Sequence, residues 1–233
     1  MNEGFFNEEI KIERRTAYLH ITSKCNMNCI GCYSRKDSRN RSSDLTTNDL
    51  CKIIDNLASG GEPFLRQDLL YIITYAKKQS MSVSCITNGL SDIKDYRMAL
   101  EYLDDLAFSL DGYSKGTSII REESFNKIDN IISELIKDRL PISIIFTLHR
   151  KNISAYFQMV DYALSRGVPY NFSILTTENL EEYNEFLLTD HDTQCLIELV
   201  KRDMSISISD SIVNGRLGCM TCCGAGPCPC QRC

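Results

Sequence analysis

Hydrophobic positions along the middle of this chain follow two alternating patterns. Short runs rich in β-branched and aromatic residues recur at Ala17–Ile21, Val83–Thr87, Leu106–Leu110, Ile142–Thr147 and Asn171–Leu175. Each has the length and composition of a buried strand. Between them the apolar residues take helical spacing. Leu50, Ile53, Ile54 and Leu57 follow the i, i+3, i+4, i+7 rule, with Thr46 and Asp49 as a capping box in front of them. Leu69, Ile72, Ile73 and Ala76 repeat it. So do Phe125, Ile128, Ile132, Leu135 and Ile136, and then Phe157, Val160 and Leu164. Strand and helix in alternation predict an α/β domain on a parallel sheet, open or curled into a barrel.

In such folds ligands lie beyond the C-terminal ends of the strands. The first strand is followed by Thr22-Ser23-Lys24-Cys25-Asn26-Met27-Asn28-Cys29-Ile30-Gly31-Cys32, the next by Asn88-Gly89 and the third by Asp111-Gly112. All three loops are expected on one rim.

Composition changes this picture at one residue type. Hydrophobic (43%) and charged (24%) fractions are those of an ordinary globular chain, which excludes a wholly disordered one. The net charge is −5 and the basic residues form no long block, so binding to nucleic acid by bulk charge is disfavoured. No run approaches the roughly 18 apolar residues of a membrane span. Met1 to Ile10 has no basic segment leading into an apolar one, so no export signal is expected and the protein is read as cytoplasmic.

Cysteine is the exception. Of twelve, three stand together at Cys25, Cys29 and Cys32, and three are scattered at Cys51, Cys85 and Cys195. Six crowd the C-terminus at Cys219, Cys222, Cys223, Cys228, Cys230 and Cys233. A secreted disulfide scaffold is usually short, with cysteines throughout, whereas this chain has a long cysteine-poor middle. The clustered cysteines therefore read as thiolates for metal or iron–sulfur ligation in a reducing compartment. The loop Cys25-x3-Cys29-x2-Cys32 offers three thiolates. Tetrahedral zinc sites generally take four protein ligands, and no fourth lies nearby. A cubane iron–sulfur cluster can take three and leave one iron open. The alternative is a structural zinc loop completed by His20 or a distant cysteine.

Together these segments resemble the radical S-adenosylmethionine (radical SAM) enzymes. Cys25-x3-Cys29-x2-Cys32 after a strand is similar to that family's signature loop, and Gly60-Gly61-Glu62-Pro63 to its GGEP motif. Thr87-Asn88-Gly89 and Ser109-Leu110-Asp111-Gly112 are similar to its later strand-end motifs, in the same order, and the likeness runs from about Ala17 to Leu175. The resemblance implies a TIM-like barrel of the (β/α)6 type, with Cys25, Cys29 and Cys32 ligating three irons of a [4Fe-4S] cluster. S-adenosylmethionine would chelate the fourth iron. One electron from the reduced cluster would split it to methionine and a 5′-deoxyadenosyl radical, which abstracts hydrogen from a substrate. Gly60, Gly61, Glu62 and Pro63 would hold the methionyl amino group, with Asn88 beside them. Ser109, Asp111 and Arg121 would contact the ribose or carboxylate. A flavodoxin or ferredoxin would serve as electron donor.

Two departures qualify the resemblance. The residue before the third cysteine is Gly31 where the family usually has an aromatic, so Tyr33 becomes the candidate to pack near the adenine. The capped helix also runs almost directly into the GGEP motif through Asn56-Leu57-Ala58-Ser59-Gly60. No apolar strand fits there, so the barrel is expected to be incomplete, its second strand short or missing and the Glu62 loop poorly anchored.

From Gly218 the chain turns to glycine, proline and cysteine, which excludes a regular helix. Cys222-Cys223-Gly224-Ala225-Gly226 looks like the opening of the SPASM or twitch extensions of peptide-modifying radical enzymes. Those normally continue for tens of residues, so at most one auxiliary iron–sulfur cluster is expected on these six thiols, or a zinc ion in its place. The metal-free alternative is a flexible tail. The expected layout is an N-terminal segment (1–16), a partial barrel (17–176), a helical extension (177–210), with a last short strand at Met204–Ser209, and a cysteine-rich C-terminal tail (211–233).

The remaining candidates read as structural. His20 and His149 are taken as satisfied polar groups and His191 as surface. Cys51, Cys85 and Cys195 are read as small hydrophobes, and Glu178 to Glu185 as a solvated helix face. The expected activity is that of a radical SAM enzyme modifying a ribosomal peptide or a protein side chain. Alternatives are a family member acting on a small molecule or activating a glycyl-radical enzyme, and a non-enzymatic iron–sulfur or metal-binding protein on a degraded scaffold.

Overall fold

The computed structural model describes residues 21–22, 24–27, 29, 32, 44, 46–54, 61–121, 124–175 and 184–202. Within them β1 (Ser84–Thr87), β2 (Asp105–Leu110), β3 (Ile142–Leu148) and β4 (Tyr170–Ile174) form one parallel sheet whose strand order follows chain order. Each lies within a residue or two of a predicted apolar run. Of the predicted run Ala17–Ile21 only Ile21 is among the described residues, and it is buried.

Register divides the sheet into two unlike faces. Thr87, Phe108, Ile144 and Tyr170 share one row, and Leu110, Phe146 and Phe172 another on the same side. The aromatic residues of this face meet those of the helices: Phe108 lies edge-on to Tyr96 at 5.3 Å, and Phe172 stacks on Tyr156 at 4.4 Å. The opposite face carries Ile86, Ala107, Ser109, Ser143, Ile145 and Asn171, a smaller and more polar set, with Ile86 42% exposed.

Helices fall largely where the spacing puts them. At the start of α1 (Thr47–Ile54) the Thr46 hydroxyl accepts the Asp49 N–H at 3.2 Å and donates to Asp49 Oδ2 at 2.6 Å. α2 (Leu69–Lys78) buries Leu69, Ile72, Ile73 and Ala76. α3 (Ile93–Leu100) was not among the predicted helices. Asp92 caps it by accepting the Lys94 N–H at 2.9 Å, and it buries Tyr96, Ala99 and Leu100. α4 (Phe125–Lys137) buries Phe125, Ile128, Ile132 and Leu135 as expected, and Ile131 as well, while Ile136 is only partly covered.

α5 (Tyr156–Ser165) buries Val160 as expected but corrects the other two expected inner positions. Phe157 and Leu164 face outward at 39% and 52% exposure, and the inner positions are Tyr156, Met159, Val160, Tyr162 and Ala163. Tyrosine buries an apolar body and needs a partner only at its hydroxyl, which Tyr162 finds on Asp129 Oδ1 at 2.6 Å. The helical extension is represented by α6 (Asp190–Arg202), whose Leu196 and Val200 join the main core. The predicted strand at Met204–Ser209 lies outside the described residues.

The Glu62 segment passes close beside Ile21, Thr22 and Lys24. Glu62 N–H donates to the Lys24 carbonyl at 3.1 Å. Arg66 reaches back to the Ile21 carbonyl with Nη1 (2.5 Å) and grips Asp68 with Nε and Nη2 (2.8 and 2.7 Å). Asp68 in turn accepts the Thr47 hydroxyl. One fork thereby ties Ile21 to the starts of α1 and α2.

Gly61 makes the close passage possible. Its φ is +87°, and a Cβ there would sit 1.6 Å from the Thr22 carbonyl oxygen. Gly116 has a similar φ of +82° but open space around it. Gly61→Ala is therefore expected to destabilise the fold by more than about 2 kcal/mol, through backbone displacement added to strain, and Gly116→Ala by only about 1 kcal/mol. Chemical denaturation of the two variants beside the unsubstituted protein checks the difference.

Candidate metal and cofactor site

The rim is built on the ends of β1, β2 and β3, and Glu62 lies at its centre. Its side chain is almost fully buried. Oε1 accepts the Thr87 hydroxyl at 2.8 Å and the Phe64 N–H at 3.4 Å, and Oε2 accepts the Asn88 N–H at 2.7 Å. Burial pushes its carboxyl above the ordinary value, and these donors and the Arg121 charge offset that only in part. The expectation of a poorly anchored Glu62 loop is thus overturned. The loop is fastened by a carboxylate to the end of β1 and by its backbone to Lys24, neither of which shows in a hydrophobic pattern.

Asn88 carries the connection onward. Its Nδ2 donates to Asn26 Oδ1 at 2.7 Å and lies 3.5 Å from Cys25 Sγ, while its Oδ1 accepts the Leu90 N–H at 3.0 Å. One buried residue therefore touches both the Glu62 carboxylate and the cysteine loop. Cys25 is exposed, Cys29 and Cys32 are half-buried, and the Cys32 N–H turns back onto the Cys29 carbonyl at 3.4 Å. Arg121 reaches this loop from the far side, with Nη1 4.0 Å from Cys29 Sγ and Nη2 donating to Thr147 Oγ1 at 3.3 Å. Its Nε is buried without a hydrogen-bond partner. Burial raises the Cys29 thiol pKa; Arg121 pulls it down and the neighbouring Cys32, Cys25 and Asp111 push it up, leaving it above the ordinary value.

Among the described residues no three His, Cys, Asp or Glu side chains converge on one point as a single-ion site requires. The donor set does fit an iron–sulfur cluster. Three thiols come from one loop, and N–H donors on Asn88 and Arg121 face two of them, where they would stabilise thiolate charge.

The other predicted residues separate into groups. Pro63 opens a short 3-10 turn (Pro63–Leu65) beyond Glu62. Ser109 is buried near the end of β2. Asp111 has no exposed surface; Ser118 and the amides of Ile119 and Ile120 occupy its carboxylate. Burial would raise its pKa, but His149, Ser118 and those two amides outweigh it and hold the group below the ordinary value. Tyr33, Gly31, Gly60, His20 and Cys219, Cys222, Cys223, Cys228, Cys230 and Cys233 lie outside the described residues.

Two structural readings need correction. His149 is fully buried and its Nδ1 accepts the Lys151 N–H, yet its Nε2 has no hydrogen-bond partner, so it is satisfied at one ring nitrogen only. Cys195 is exposed on α6, 3.8 Å from His191 Nδ1, because it falls on the outer face of that helix, so it is no core residue. Cys51 and Cys85 are buried as expected, and burial pushes the Cys85 thiol far up. Among the described residues no helix is long and apolar enough to cross a membrane.

Comparison with known proteins adds three findings. The family described as the Radical SAM superfamily matches residues 19–163. An S-adenosylmethionine-dependent nucleotide dehydratase of Selenomonas ruminantium is 37% identical over 114 residues, covering 43% of this chain and 40% of that protein. A probable GTP 3',8-cyclase of Saccharolobus islandicus is 29% identical over 163 residues, covering 64% and 52%. The chain thus spans about two fifths to one half of these relatives. Among solved structures, native anSMEcpe with bound AdoMet superposes with a TM-score of 0.65 at 17% identity, covering 85% of this chain and 61% of that one. Streptococcus suis SuiB bound to precursor peptide SuiA gives 0.61 at 13%, covering 86% and 46%. These low identities establish a shared fold.

Glu62 gives a test of the site's assembly. Glu62→Ala strands the Thr87 hydroxyl and the Asn88 N–H and is expected to cost about 2–4 kcal/mol, whereas Glu62→Gln keeps an acceptor and costs about 1 kcal/mol. A raised carboxyl pKa means that ionisation opposes folding. Below the ordinary value of 4.5 that cost is absent, and it grows as pH rises through the folded-state value. Denaturation across pH should show this downward slope above 4.5 in the unsubstituted protein and its loss in Glu62→Gln.

Proposed function

The chain belongs to the radical SAM superfamily, and we propose that it binds a [4Fe-4S] cluster through Cys25, Cys29 and Cys32 and S-adenosylmethionine beside Glu62. Bound together, the two groups would supply reductive cleavage of S-adenosylmethionine to a 5′-deoxyadenosyl radical that abstracts hydrogen from a substrate, with one electron from a flavodoxin- or ferredoxin-like donor. The observation that carries this reading is Asn88, which hydrogen-bonds the Glu62 carboxylate through its backbone and reaches Cys25 through its side chain. The cysteine loop and the Glu62 segment are thereby held as one site.

Within that site the chain's own residues have distinct tasks. Glu62 anchors the Gly61 passage beside the cysteine loop, through its buried carboxylate on Thr87 and Asn88 and its backbone on Lys24. Arg121 brings positive charge to Cys29. The face of the sheet with Ser109 and Asn171 is smaller and more polar than the aromatic face, which suits it better to a cofactor and substrate.

For the substrate we propose a ribosomal peptide or a protein side chain. Support comes from the six clustered cysteines after Gly218, which suit one auxiliary cluster, and from peptide-bound SuiB among proteins of this fold. A second reading, a nucleotide or another small molecule, is favoured by the 37% identity to a nucleotide dehydratase.

Protein reconstituted anaerobically with iron and sulfide, then given S-adenosylmethionine and a strong reductant, is expected to release 5′-deoxyadenosine. The combined Cys25→Ala, Cys29→Ala and Cys32→Ala variant should give none above background. Absence of product from a wild type that verifiably holds its cluster would overturn the enzymatic reading. If nucleotides raise product formation and peptides do not, the second substrate reading prevails.

A further inference from the structure

The loop from Asp111 to Arg121 turns back on the end of β2, and a buried carboxylate closes it. Asp111 Oδ1 accepts the Ser118 hydroxyl, and Oδ2 accepts the Ile119 and Ile120 amides, each at 2.7 Å. The Ile120 side chain is buried in a small cluster with Leu175 and Phe186. One residue later Arg121 meets Cys29 and Thr147. The position of the guanidinium is therefore set by the backbone that Asp111 holds.

His149 lies against the same carboxylate. Its Nδ1 accepts the Lys151 N–H at 3.2 Å, which leaves the ring N–H at Nε2. Nε2 is 3.8 Å from Asp111 Oδ2, too long for a hydrogen bond but close for an electrostatic contact between two groups with no exposed surface. The ring also stands edge-on to Phe186 at 5.6 Å. Behind them Asn152 Nδ2 donates to the Asp111 and Thr147 carbonyls, both at 2.9 Å, joining the ends of β2 and β3.

We propose that Asp111 and His149 form a buried positioning pair that holds residues 118–121 so that Arg121 faces the cysteine loop, and that Asp111 acts on the cofactor through Arg121 without touching it. This rests on the reading of the rim as an S-adenosylmethionine site, and it replaces the expectation that Asp111 contacts the cofactor. A carboxylate with no exposed surface and both oxygens already accepting hydrogen bonds presents no face to a ribose.

Two measurements test it. The first needs neither cluster nor cofactor: hydrogen exchange of the Ile119 and Ile120 amides in the unliganded full chain. Asp111→Ala should speed exchange at these two amides at least about 10-fold relative to the strands, as local opening becomes easier. His149→Phe, which keeps the ring against Phe186, should speed it by a smaller factor. Asp111→Leu, which has a similar shape and accepts neither amide, serves as the second variant in case the alanine variant fails to fold. Unchanged exchange in a folded Asp111 variant overturns the pair, and unchanged exchange in His149→Phe removes His149 from it.

The second is a double-mutant cycle on equilibrium binding of S-adenosylmethionine to the cluster-loaded protein. Asp111→Ala should weaken binding about 10-fold in the unsubstituted background and less than about 2-fold where Arg121→Ala is already present. An equal loss in both backgrounds would show that Asp111 contacts the cofactor directly and would overturn the proposal. If the unsubstituted protein binds none, the reading of the rim itself fails, while the exchange measurement still decides whether the pair holds the loop.

Discussion

A carboxylate withdrawn from water demands hydrogen-bond donors, and at Glu62 that demand assembles the rim. The donors come from the end of β1, from the residue after it and from the turn that follows Glu62 itself. Satisfying one acidic group therefore fixes where a strand ends relative to a loop far from it in sequence. Asn88 passes the constraint to the cysteine loop, and the Lys24 carbonyl returns it to the Glu62 backbone. Partial satisfaction of such a network would be costly in a dry setting, so its members stand or fall together.

The two faces of the sheet explain why the rim can be both rigid and open. Aromatic rings from β2, β3 and β4 interlock with Tyr96, Tyr156 and Tyr162 on one side. Offset and edge-on ring contacts of this kind resist sliding as well as separation. The strands are thus positioned from behind, and the opposite face is free to carry serine, asparagine and alanine. Work is divided by register: alternate residues of one strand serve packing and the site in turn.

Most of the strands, and the faces of α2 and α4, were legible in the sequence because burial writes itself as periodicity. α3 was missed because its inner face is only Tyr96, Ala99 and Leu100, too brief a pattern to stand out, although Asp92 marks its start. In α5 only Val160 of the three expected inner residues is buried, since Phe157 and Leu164 outrank tyrosine in hydropathy while the structure buries Tyr156 and Tyr162. At the site, motifs pointed to Glu62, Asn88, Asp111 and Arg121 but not to what each one touches. The anchoring of Glu62 and the contact between His149 and Asp111 are side-chain relations between segments distant along the chain. No local pattern encodes them.

Strand order that follows chain order carries a consequence for how the domain is made. Ser84 pairs with Asp105, Leu106 with Ile142, and Ile144 with Tyr170, so among the described strands each pairing closes a loop of only a few tens of residues. Parallel sheets are slow to fold when their pairings are far apart in sequence. Here each strand's partner on one side precedes it in the chain, so the β-α-β units can dock in the order in which they leave the ribosome. The rim contacts of β1 obey the same order: Thr87 and Asn88 reach back to Glu62, Cys25 and Asn26, all earlier in the chain, so these contacts can close as soon as β1 has emerged.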